Sequence, residues 1–116
     1  MKELLQYLLV AANVSKKLHW ETKSFAMHLA LDELNSTLHD FTDRLAEEYF
    51  GAYGTIADIQ VNDAQVAHSS PLDFISDLVS KLEQFKSVLG NAPLQNTFEE
   101  LQSAVFKVKY KLENLR

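Results

Sequence analysis

The sequence predicts an all-α protein, a four-helix bundle in a single domain spanning 1–116. Apolar residues recur at steps of three and four in four separate segments, the period of helices that bury one face. Only 3 Gly and 2 Pro occur in 116 residues, too few for the turns of an all-β fold. The hydrophobic share, 47%, is high enough to offset the ordering entropy of a folded chain.

The first helix is expected over about Lys2 to Leu18, with Leu4, Leu8, Ala11, Ala12 and Ser15 on one side. Its apolar run carries Gln6, Asn13 and Glu3, which argues for an amphipathic helix over a secretory leader. The second is expected over about Ser24 to Phe50, with the stripe Met27, Leu31, Leu34, Leu38, Phe41, Leu45 and Tyr49, and a stop at Gly51. The third opens with Ser70-Pro71, a cap followed by proline at the first helical position. It buries Ile75, Leu78, Leu82, Phe85 and Leu89, and Gly90 ends it. The fourth is expected to open near Asn96, with Glu99 completing a capping box. Its stripe is Phe98, Leu101, Val105, Val108, Leu112 and Leu115, with Glu99 and Glu100 early and Lys107, Lys109, Lys111 and Arg116 late, as the helix dipole prefers. Glu99 and Glu100 are read as first-turn charges rather than a second metal site.

Short connections make antiparallel hairpins of the first and second helices, and of the third and fourth. The link from Gly51 to Ser70 is long. It can stretch to about 65 Å, whereas the second helix is roughly 40 Å long. Ile56, Ile59, Val61 and Val66 in the link suggest that it packs. Two hairpins joined by a long crossover describe the ferritin-like arrangement.

The formal charge is −5, from 11 basic and 16 acidic residues, so the folded surface is not expected to bind a nucleic-acid backbone. Lys16, Lys17 and Lys23 make only a small basic cluster. With no Cys, thiol nucleophiles, disulfide frameworks and iron–sulfur ligands are excluded. No stretch approaches the roughly 18–20 apolar residues of a membrane span, and a cytoplasmic location is expected.

The second helix also carries a polar stripe. His28, Asp32, Asn35, His39, Asp43 and Glu47 fall within about 120° of one another at 100° per residue. His28–Asp32, His39–Asp43 and Asp43–Glu47 are i,i+4 neighbours. Imidazole with carboxylate suits iron, zinc or manganese. A solvated face would carry the same residue types. No Glu has a His three residues later, so the Glu-x-x-His pair of an intrasubunit di-iron site is missing. A metal site is therefore expected between subunits. His68 in the link has no evident partner and reads as a surface residue.

The segment HWETKSFAMHLALDELNSTLHDFTDRLAEEYFG, His19–Gly51, resembles the Dps proteins, miniferritins that oxidise and store iron. His19-Trp20, Phe25, His28 and Asp32, then Asp43 and Glu47, match that family's pattern. The resemblance implies a ferroxidase site at a twofold interface. His19, His28 and Asp32 would come from one subunit and Asp43 and Glu47 from its neighbour, holding up to two irons. It also implies a homo-oligomer, at least a dimer, with dioxygen or peroxide as oxidant and Trp20 as a scavenger of stray oxidising equivalents. The His19–His28 gap of nine is about one helical turn shorter than in that pattern. No basic N-terminal tail of the kind that holds DNA in some Dps proteins is present in this sequence. HWETKSFAMH, LQNTFEEL and YKLENL resemble more closely still a small, largely uncharacterised ferritin-like family frequent in phage genomes. That likeness keeps a second function open: a non-catalytic assembly module, structural or accessory to a phage.

Overall fold

A computed structural model describes residues 1–62 and 70–115, among which α1 is Lys2–Glu21, α2 Phe25–Tyr53, α3 Pro71–Phe85 and α4 Ala92–Asn114. The chain is all-α, with no strand among the described residues. α1 outruns its expected end at Leu18 by one turn and stops at Thr22, whose backbone is extended. Ser24 then caps α2: its hydroxyl accepts the Met27 N–H at 3.2 Å. The Thr22 hydroxyl accepts the Ser24 N–H at 3.2 Å, so the three-residue turn satisfies its own polar groups.

Gly51 does not stop α2. A glycine inside a helix costs only about 1 kcal/mol, and the helix runs on until Gly54, whose φ of 97° leaves the right-handed region. The extra turn packs Tyr53 against Tyr49, with ring centroids 4.9 Å apart and the rings tilted by 46°. α3 begins as expected, with the Ser70 hydroxyl accepting the Asp73 N–H and Pro71 in the first turn. A single 3₁₀ turn, Lys86–Val88, prolongs it and delivers Leu89 to the core before Gly90 turns the chain at φ 89°.

α4 opens at Ala92, not Asn96. The cap is Asn91, whose Oδ1 accepts the Leu94 N–H at 2.9 Å. Pro93 sits in the first turn, where a missing N–H leaves no helical bond unmade. Glu99 and Glu100 therefore lie in later turns; Glu99 accepts from Gln95 and Glu100 pairs with Arg44.

The buried faces follow the expected stripes. Leu31, Leu34, Leu38 and Leu45 of α2, Ile75, Leu78 and Leu82 of α3, and Phe98, Leu101, Val105, Val108 and Leu112 of α4 form the core with α1. Leu115 is exposed, and Met27, Phe41, Tyr49 and Phe85 are half-buried. α1 is buried on more than one face: Leu5, Tyr7, Val10, Val14 and Leu18 join its expected residues inside.

α1 packs on α2 and α3, and α4 packs on the same two helices. Directions follow from side-chain pairs. On the α2–α4 seam, Glu33 meets Lys111, Arg44 meets Glu100 and Glu48 meets Thr97, so these helices are antiparallel. α1 and α2 are antiparallel too, since Lys16 meets Asp32 and Asn35 meets Ala12. Tyr7 near the start of α1 packs on Phe85 at the end of α3, with centroids 5.9 Å apart. Leu72 at the start of α3 shares a cleft with Ser24 and Met27 at the start of α2. α3 thus runs in the direction of α2.

The link opens beside the start of α1, where the Gln60 N–H donates to Gln6 Oε1 at 3.0 Å. Ile56 and Ile59 are half-buried against the core, whereas Val61 is exposed. Val66, His68 and Arg116 lie outside the described residues.

Candidate functional site: the polar face of α2

The polar stripe of α2 divides into two parts. Its first half is built into the seam with α1. Asn35 Nδ2 donates to the Ala12 carbonyl at 2.8 Å, a carbonyl that also accepts the Ser15 hydroxyl at 2.7 Å. Asp32 pairs with Lys16 at 2.7 Å. One turn further up, His19 and His28 stack with ring centroids 3.7 Å apart and planes 21° apart.

The two histidines are bonded reciprocally. His19 Nδ1 lies 2.5 Å from the His28 carbonyl oxygen, and His28 Nδ1 lies 2.9 Å from the His19 carbonyl oxygen. A carbonyl can only accept, so each Nδ1 carries the ring proton and donates. His19 is 9% exposed and His28 half-buried. The short gap of nine residues does not set His19 away from His28: the three-residue turn brings the two rings into contact.

Near-parallel stacking limits what the pair can hold. An ion bound by imidazole lies close to the ring plane, about 2 Å beyond the nitrogen. Two rings with centroids 3.7 Å apart and planes inclined by only 21° do not bring those planes together so near the nitrogens. The pair as it stands cannot chelate one ion.

The Lys16 ammonium beside Asp32 holds its carboxyl below the usual carboxylate range, first by their hydrogen bond and then by their charge attraction, which together outweigh the opposing effect of desolvation. A lowered folded-state pKa stabilises above the unfolded value, near pH 4, and that stabilisation is lost as pH falls through the folded one. Lys16→Met is expected to move the Asp32 titration midpoint upward, towards an ordinary aspartate, as followed by carboxyl-carbon NMR. An unmoved midpoint would mean that the pair does not persist in solution.

The second half of the stripe is open. His39, Asp43 and Glu47 are exposed, with no hydrogen bond or ion pair to any described residue. Asp43 stands fifteen residues beyond His28, roughly 22 Å along the helix. The structure therefore brings His19, His28 and Asp32 together and leaves Asp43 and Glu47 apart from them. Among the described residues, no group of three or more His, Asp or Glu side chains could hold a metal within one chain. Trp20, next to His19 in sequence, is exposed.

Sequence reasoning missed two members of the seam. Lys16 read as part of a basic cluster, and Asn35 read as one more polar residue of the stripe. Both act across the hairpin, and no spacing within one helix reports a partner on another. Among the described residues Tyr7 is also perturbed: burial raises its hydroxyl pKa well above the ordinary value, with Asp77 adding to the effect.

Among the described residues, no helix is long and apolar enough to cross a membrane. No solved structure matches the chain. An uncharacterized 14.6 kDa protein in the mobD-ri intergenic region of Enterobacteria phage T4 is 31% identical over 112 residues, covering 95% of this chain and 85% of that protein. The model of a family of unknown function, DUF5856, matches residues 19–112, from the first histidine of the stacked pair to the last core leucine of α4. On these two matches the chain belongs to that family, and has a distant relative in a phage.

Proposed function

We propose that this chain is a ferritin-like bundle of the Dps type that binds Fe(II) at a site completed by a second copy. The observation that carries the reading is the stacked pair. His19 and His28 each turn Nδ1 to the other's carbonyl oxygen across the hairpin, beside the start of a helix whose Asp43 and Glu47 have no side-chain partner among the described residues. In a homo-oligomer, Asp43 and Glu47 of a neighbour would face His19, His28 and Asp32. Carboxylate oxygens favour Fe(III) over Fe(II), so such a site would promote oxidation. Two Fe(II) would give up one electron each, and peroxide with two protons would become two waters. The parallel course of α2 and α3 supports a long crossover between them, as in ferritin-like bundles. A cytoplasmic location fits this chemistry. Zinc or manganese would suit the same ligands.

A second reading, a non-catalytic assembly module in a phage, has its own observation. His19, His28, Asp32 and Asn35 all direct polar atoms to the α1–α2 seam, which is work that needs no metal.

Anaerobic calorimetry with Fe(II) separates the two. The iron reading expects saturable binding of about one or two ions per chain, lost in the Asp43→Ala/Glu47→Ala variant. A folded, oligomeric wild type that takes up no iron would leave the assembly module as the function.

A further inference from the structure

The helix directions place most of the large exposed apolar side chains at one end of the bundle. That end holds the finish of α1, the starts of α2 and α3 and the finish of α4. Trp20 and Phe25 are 73% and 74% exposed there, and Leu29, Leu72, Tyr110 and Leu115 are between 41% and 60% exposed. The same end holds a cleft of about 380 Å³, lined by Met27, Leu72, Leu112 and Leu115 together with Ser24 and Glu113. At the opposite end, the exposed large apolar residues among those described are Tyr53, Val61 and Val88. The three aromatic rings alone offer on the order of 400 Å², in the range of the largest apolar patch of a typical monomer, about 300–600 Å². The leucines add to that.

Charge divides the same way. When each helix is cut at its middle, the apolar half carries six lysines against six carboxylates and is neutral. The other half carries four basic side chains against nine acidic ones, and so holds the whole excess of −5 among the described residues.

We propose that the apolar end is a self-association surface whose occupant is the same end of a second copy. Two such ends can meet without net repulsion. Their acidic halves then point away from each other along bundles 43 Å long, well beyond a screening length of about 8 Å. A head-to-tail partner would instead bring apolar surface against the acidic end, where carboxylates would lose water without gaining partners. The proposal rests on the reading that the chain self-associates, and names a contact distinct from the flank-to-flank one that an α2 metal site requires.

Small-angle scattering of metal-free protein tests it, because the two contacts differ in shape. An end-to-end dimer is expected to reach about twice the length of the bundle. The triple variant Trp20→Ser/Phe25→Ser/Leu115→Ser is expected to reach no further than one bundle length, with an unchanged helical spectrum. The control Val61→Ser/Val88→Ser, at the other end, is expected to remain dimeric. A compact dimer no longer than one bundle would overturn this interface while leaving self-association standing. A monomeric wild type would overturn both. The wild-type shape decides even if the triple variant fails to fold.

Discussion

Phe98→Ala is expected to lower the stability of the bundle by about 3–5 kcal/mol, read as a fall in the urea midpoint with an unchanged slope. Phe98 is on α4 and fully buried, one of the largest side chains enclosed in the core. Its removal loses the transfer energy of the ring and leaves a cavity that neighbouring leucines fill only in part. Set against a typical total of roughly 5–15 kcal/mol for a domain, that loss is large enough to unfold part of the population. Phe106→Ala provides the contrast. It is the same substitution on the same helix, two turns on, at a residue 54% exposed. Its cost is expected to stay within about 0.5 kcal/mol. Equal losses at both positions would mean that α4 is rotated from the orientation described.

Gly90→Ala is expected to cost about 2 kcal/mol, for two separable reasons. The φ of 89° is one that side chains with a Cβ avoid. A Cβ there would also stand 2.9 Å from the Tyr53 hydroxyl. That hydroxyl accepts a hydrogen bond from Asn91 Nδ2 at 3.1 Å, while Asn91 Oδ1 caps α4. Displacing the ring therefore breaks a bond to the residue that starts the next helix. A double-mutant cycle with Tyr53→Phe divides the two terms. With the hydroxyl gone, the cost of Gly90→Ala is expected to fall by up to about 1 kcal/mol. The same cost in both backgrounds would assign all of it to the backbone.

These two sites mark what could be read from the sequence and what could not. Phe98 was legible because a buried face repeats every three or four residues, and burial is the strongest force acting on the chain. The helix ends were less so. Gly51 looked like a stop, but a glycine only permits one, and the packing of Tyr53 on Tyr49 carries α2 past it. The signal for α4 lay in Asn91-Ala92-Pro93, a cap with proline in the first turn, while Asn96 and Glu99 imitated a capping box inside the helix. The site divided along the same line. The spacing of α2 correctly put His28, Asp32 and Asn35 on one side of the helix. That side faces α1, so their partners Lys16, His19 and Ala12 depended on the register of a hairpin that no single helix encodes. His39, Asp43 and Glu47, whose side chains have no partner among the described residues, remained as the sequence described them.

The seams of the bundle also set an order of assembly. Lys16–Asp32 and Gln102–Glu83 join helices that are neighbours in sequence, whereas Glu33–Lys111 ties residues seventy-eight positions apart. Closing a long loop costs more chain entropy before any contact offsets it, so the two hairpins are expected to form early and the α2–α4 seam last. Substitutions in the hairpin cores, such as Leu8→Ala in α1, should then slow folding, and those on the late seam, such as Lys111→Ala, should mainly speed unfolding. The chain would acquire its stacked histidines, which sit wholly within the first hairpin, before it acquires a complete core.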